Sequence, residues 1–130
     1  MKKNILYISY DGLTDPLGQS QILPYLTKIS SKTHNIDIIS FDKSESLKKT
    51  KALILEKIKN KNINWYSIKY TKNPPLLSTI FDLYKGTSLI TKLNQKNYYG
   101  IVHCRGYIAG LIGLKMNKKF GIPLIFDMRG

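Results

Sequence analysis

The sequence predicts an α/β fold: a Rossmann-like, doubly wound parallel sheet of about five strands in a three-layer α/β/α sandwich. Two observations predict it. Short apolar runs alternate with stretches of helical periodicity, β-α-β-α-β-α-β-α-β along 130 residues. The runs are continuously apolar rather than alternating, so helices must cover both sheet faces, and right-handed crossovers then build the sandwich. A chain of this length and 42% apolar content makes one domain with one real core.

Residues 4–10 (NILYISY) are rich in β-branched and aromatic types and read as a buried strand. DGLTDPLGQS follows as a loop, by its Gly, Pro, Asp and Ser content. Ile22, Leu23, Leu26 and Ile29 then keep helical spacing, and Pro24 places the helix start near Gly18 to Gln21. Residues 35–41 form the second strand. Asp42 or Ser44 is the expected cap of a helix running to about Lys61, with Leu47, Ile54, Leu55 and Ile58 on its apolar face. A third strand spans 63–68. YTKNPP reads as a breaker, and a third helix runs from Ser78 to about Lys96, weakened by Gly86. The fourth strand is 101–104 and the fourth helix 106–120, ended by Gly121. PLIFD, 123–127, is the fifth strand.

The formal charge is +13, nearly all from lysine spread along the chain. That excess reads either as a diffuse solvated surface or as a face turned to anionic membrane or another polyanion. The single cysteine, Cys104, excludes an internal disulfide framework and suits a reducing, cytoplasmic setting. Lysines before Ile5 to Ile8 resemble the start of a leader peptide, but Asp11 interrupts it.

Ligands of such sheets bind outside the carboxyl ends of the strands, at the topological switch point. The ends carry Asp11 and Gly12 after the first strand, His103 and Arg105 at the fourth, and Asp127 and Arg129 at the fifth. Of 21 cationic side chains only Arg105 and Arg129 are arginine, and both stand there. A rigid guanidinium fork matches phosphate or carboxylate oxygens. The structural alternative is an Arg–Asp pair with Asp11 or Asp127. His103 is a candidate general base or donor to a hydroxyl, or else a core histidine satisfied by backbone. Cys104 should point to the opposite face and be an inert thiol. Gly12 and Gly18 would let the backbone approach an anion where the loop opens the first helix, or are simply turn residues. The loop is neither G-x-G-x-x-G nor a P-loop. No side chains have metal-ligand spacing. Gly106, Ala109, Gly110 and Gly113 form a small-residue stripe suited to close helix–sheet packing.

NILYISYDGLTDPLGQSQILPYL, IVHCRGYIAGLIGLK and IPLIFDMRG resemble the N-terminal domain of family 4 glycosyltransferases of the GT-B fold, over essentially the whole chain. DPLGQSQ and FDMRG are the most specific stretches. The resemblance implies metal-independent, retaining transfer of a sugar from a nucleotide-sugar to a carbohydrate or lipid-linked acceptor in bacterial polysaccharide or glycolipid synthesis. It implies no cofactor beyond the nucleotide-sugar substrate. It places Gly18 in a loop donating backbone N–H groups to the donor diphosphate, and His103, Arg105, Asp127 and Arg129 at the post-strand sites. His103-x-Arg105 stands where many members have His-x-His. A donor-binding C-terminal domain would lie outside this chain, which is therefore expected to be truncated and inactive alone, or half of a split enzyme. The rival readings are a standalone nucleotide-binding Rossmann-like protein and a basic module for anionic membrane or nucleic acid. Aromatic and basic residues do not interleave as a nucleic-acid platform requires, so nucleic acid is not expected.

Overall fold

The computed structural model describes residues 3–30, 34–43, 48–71 and 75–128. Five strands, β1 (Lys3–Ser9), β2 (His34–Asp42), β3 (Ile63–Lys69), β4 (Ile101–Arg105) and β5 (Leu124–Asp127), form one sheet in the order β3-β2-β1-β4-β5. All pairs are parallel. The order reverses between β1 and β4, which makes their carboxyl ends the switch point. Tyr7 lies opposite Ile38 and His103, and His103 opposite Ile125; two residues further on, Arg105 lies between Ser9 and Asp127.

Helices α1 (Leu23–Ile29) and α2 (Lys48–Ile58) cover one face, where Leu23, Leu26, Ile54 and Ile58 pack on Tyr7, Ile36 and Ile38. Helices α3 (Pro75–Asn97) and α4 (Tyr107–Phe120) cover the other, where Ile90, Ala109, Ile112 and Met116 pack on Leu6, Ile8, Ile39 and Val102. Odd and even strand residues thus enter different cores, as continuous apolar strands require. The Rossmann-like doubly wound architecture expected from the sequence is present.

Several local expectations change. First, α3 begins at Pro75 rather than Ser78. Proline has no N–H to donate, and a first helical turn needs none. Second, Gly86 does more than weaken α3. A Cβ there would lie 2.9 Å from Ile112 Cδ1 and 3.1 Å from Phe41 Cζ, so glycine lets α3 pack closely. Third, the Asp42 carboxylate is buried at the end of β2 and engaged there; the stretch ahead of α2, with Ser44 and Leu47, lies outside the described residues. Leu55 is exposed, not part of the buried face of α2.

Fourth, a π-helical turn, Gly18–Ile22, precedes α1. Its wide bond runs from Leu23 N–H to Gly18 O. Pro24 follows at the start of α1 and can donate no bond to the carbonyl four residues back. Widening the turn before it gives the chain a way into the helix past that missing donor.

Two buried carboxylates pin the carboxyl edge. Asp42 accepts from Thr14 N and Oγ1, each at 3.1 Å, and from Ser40 Oγ at 2.7 Å and Ser67 Oγ at 2.5 Å. It thereby ties the β1–α1 loop to β2 and β3. Asp82 of α3, fully buried, accepts from Tyr10 Oη at 2.7 Å and pairs with Lys85 Nζ at 3.2 Å. Asp42→Ala would leave four donors without their acceptor. We expect a loss of about 3 kcal/mol in urea unfolding, with Asp42→Asn losing less. A midpoint shift equivalent to under about 1 kcal/mol would show that the carboxylate does not hold the edge.

Candidate functional site

On the α1 side of the switch point the sheet is open, and a cavity of about 670 Å³ lies there. Strand alternation puts Tyr7, His103 and Ile125 in one row of its floor, with Arg105 and Asp127 two residues nearer the carboxyl edge. Gln21 and Tyr25 form its wall. They are four apart, so one face of the helical segment presents both.

Arg105 is the centre of the arrangement. Its side chain is only 6% exposed. Nη2 donates to Gln21 Oε1 at 2.6 Å. Nε lies 3.7 Å from Asp11 Oδ2, near enough for an ion pair but too far for a hydrogen bond, and it has no hydrogen-bond partner. Asp11 is half-exposed, so solvent screens that pair. A permanently charged fork with an uncommitted donor beside an open cavity suits an anionic ligand. The first residues of α4 follow directly, after Gly106, whose φ of 86° calls for glycine and whose position has no side-chain cap. The positive end of that helix therefore faces the same edge.

The neighbouring titratable groups are tuned by burial. Burial raises the Tyr7 hydroxyl above its ordinary range, and the Arg105 charge partly opposes this. Burial lowers His103 below its ordinary value of 6.5, offset in part by the nearby Asp127 carboxylate. The His103 ring lies 4.8 Å from that of Tyr7 and 6.2 Å from that of Tyr25, centre to centre. Burial in this aromatic setting thus favours the neutral imidazole of His103. Cys104 points the other way, into the α4 core, where burial pushes its thiol up to about 12. Its Sγ would lie 2.2 Å from a Cβ on Gly113, which explains the small-residue stripe.

Of the residues predicted from sequence, His103, Arg105 and Asp127 line the cavity, and Asp11 touches Arg105. Gly12 and Gly18 do not line it. A Cβ on Gly18 would stand 2.3 Å from Gly12 O, and one on Gly12 would stand 2.8 Å from Asp42 Oδ1. These glycines let the loop close on itself. Arg129 lies outside the described residues. Sequence reasoning missed Tyr7, Gln21 and Tyr25. Tyr7 was detectable as the in-register neighbour of His103, and Gln21 and Tyr25 by their helical spacing. Among the described residues no three His, Cys, Asp or Glu side chains gather as a metal site.

No family model and no curated protein matches the chain. Solved structures do. The C-terminal domain of a hydrogenase from Pyrococcus furiosus superposes with a TM-score of 0.65 at 15% identity, covering 98% of this chain and 93% of that one. Ferredoxin-NADP+ reductase from Plasmodium falciparum gives 0.57 at 13% identity, covering 98% of this chain and 52% of the reductase. The same reductase with 2'P-AMP gives 0.53 at 15% identity. This chain therefore spans about half the length of the reductase. Such identities establish a shared fold.

These neighbours overturn the glycosyltransferase expectation. The similar folds belong to oxidoreductases, not to glycosyltransferases, and no family model supports the resemblance carried by DPLGQSQ and FDMRG. The retaining sugar transfer and the polysaccharide setting fall with it. The local geometry gives a physical reason for the misleading string. The DPLGQSQ stretch has its own packing requirements, Gly18 against Gly12 and the π turn ahead of Pro24.

Two outcomes follow. Gly18→Ala should destabilise the fold by about 2 kcal/mol or more, because its Cβ would collide with backbone; denaturant melts of wild type and variant measure this. Because folding lowers the His103 pKa, the unfolded chain binds the extra proton first. The His103 contribution is therefore neutral above about pH 6.5 and destabilising as pH falls below it. Melting across pH 5–8 should show that decline, and His103→Gln should flatten it.

Proposed function

We propose that this domain binds a phosphorylated nucleotide and acts as the nucleotide-holding part of an oxidoreductase. The phosphate would lie against Arg105, and the planar base in the cavity beside Tyr7, Tyr25 and His103. The observation that carries this reading is the buried Arg105 fork, its Nε without a hydrogen-bond partner, at the switch point of a doubly wound sheet. A cavity of about 670 Å³ is in the size range of small-ligand sites. The likeness to a reductase seen with 2'P-AMP supports the ligand class by analogy of fold.

Anchoring through phosphate also agrees with the rest of the edge. Dinucleotide sites commonly grip ribose hydroxyls with a free carboxylate near the end of the second strand. Here Asp42 occupies that place, and its oxygens are engaged by Thr14, Ser40 and Ser67. An arginine and a helix N-terminus on the β4 side favour phosphate instead. These residues would bind and orient the nucleotide: burial favours the neutral form of His103, and the Cys104 thiol is buried on the far face.

Calorimetry of the chain with 2'-phospho-AMP, AMP, NADPH and adenosine tests the reading. The phosphorylated nucleotides should bind and adenosine should not. Arg105→Ala should weaken binding at least about tenfold, and Arg105→Lys should not restore it, since a point charge lacks the fork. Absence of binding by all the phosphorylated ligands to the folded chain would refute it.

A further inference from the structure

We propose that the outer face of the α3–α4 layer docks onto an anionic lipid bilayer. Docking there does not depend on what the cleft binds; Tyr107, which packs on the cleft-lining Phe126, lies at the border of the two.

The outer stripe of α3 runs Leu77, Phe81, Tyr84, Ser88, Lys92, at spacings of three and four residues. Leu77, Phe81 and Tyr84 are 64%, 52% and 69% exposed. The outer stripe of α4 runs Tyr107, Leu111, Leu114, Lys118, and its three apolar members are exposed as well. Both helices return from the carboxyl end of one strand to the amino end of the next parallel strand. They therefore run side by side in the same direction, and the two stripes change from apolar to cationic in step. The apolar halves lie toward the carboxyl edge and the lysine halves toward the opposite edge.

The charge is one-sided. The two helices carry Lys85, Lys92, Lys96, Lys115, Lys118 and Lys119. Their one acidic residue, Asp82, is fully buried and paired with Lys85. Between the helices, Lys92, Lys115 and Lys119 border a groove of about 350 Å³ that also presents Thr87, Ser88 and Thr91. Cations and hydroxyl donors together suit a phosphate headgroup.

Six exposed apolar side chains along two adjacent helices suit an interaction surface. Its lysines decide the partner. Protein interfaces deplete lysine at their core and set register with charges of both signs. This face offers one sign. A second copy of the chain would bring lysines against lysines. A fluid anionic surface needs no register; it takes apolar side chains at the acyl boundary and lysines at the headgroups. No helix among the described residues is long and apolar enough to cross a membrane, so the contact is along the surface.

Co-sedimentation of the intact chain with vesicles tests this. Binding to phosphatidylcholine vesicles containing about 30% phosphatidylglycerol should exceed binding to phosphatidylcholine alone by at least about tenfold and weaken with added salt. Leu77→Glu with Phe81→Glu, and separately Lys115→Glu with Lys119→Glu, should each reduce it about tenfold, with circular dichroism unchanged. Lys57→Glu with Lys61→Glu, on the α1–α2 side, should bind as wild type. Equal binding to neutral vesicles, wild-type binding by the Leu77/Phe81 variant, or loss in the Lys57/Lys61 variant would each overturn the proposal.

Discussion

A guanidinium taken out of water must find acceptors, and that requirement organises the edge of this sheet. Arg105 is buried at the end of β4, and its desolvation costs several kcal/mol unless neighbours compensate. Gln21 reaches it from the segment before α1 and Asp11 from the loop after β1. Each comes from a different part of the chain, and each must be placed by structure that Arg105 does not touch. The compensation is incomplete, since Nε is left with only a distant, half-exposed carboxylate. A structural ion pair would close that gap. The open donor is what the proposed phosphate contact would use.

The placement of Asp11 and Gln21 rests on the β1–α1 loop, and that loop rests on Asp42. Thr14, in the middle of the loop, is held by the Asp42 carboxylate, and Gly12 and Gly18 are small so that the loop can fold onto itself. Asp82 does the corresponding work on the other face by joining α3 to Tyr10, just after β1. The edge is thus tied together on the β2–β3 side, where Asp42 is bonded by Thr14, Ser40 and Ser67 and Asp82 by Tyr10 and Lys85. It is open on the β4–β5 side, where the cavity lies. Bonding and openness are divided between the two halves of one sheet.

Much of the fold was legible in the sequence, because β-branched runs and helical spacing report burial directly. The strands fall within a residue or so of their expected bounds. The failures have specific causes. The edge-tying role of Asp42 was missed because aspartate before a polar stretch usually reads as a helix cap; its partners Thr14 and Ser67 are distant in sequence, and no local pattern shows them. Pro75 looked like part of a breaker, though the same residue type opens helices. At the site, the strand-end rule located His103, Arg105 and Asp127, since position along a parallel strand fixes which edge a residue reaches. Tyr7, Gln21 and Tyr25 escaped it because they belong to a strand interior and a helix wall. The strings that suggested a glycosyltransferase are short, and Gly18 within one of them answers a local packing need, whereas the backbone as a whole aligns with oxidoreductase domains.

The π turn before Pro24 also makes the length of this segment a carrier of information. One residue inserted into a regular α-helical path rotates everything beyond it by about 100°, and a π turn absorbs that residue locally. Gly18–Ile22 is such a turn; Gln21 within it meets Arg105, and Tyr25 beyond it meets His103. In a homologue one residue shorter between Gly18 and Leu23, the wide turn that carries Gln21 would be gone, and with it the Gln21 contact to Arg105. In comparing relatives of this chain, alignment gaps in that stretch therefore deserve as much weight as substitutions at Arg105 itself.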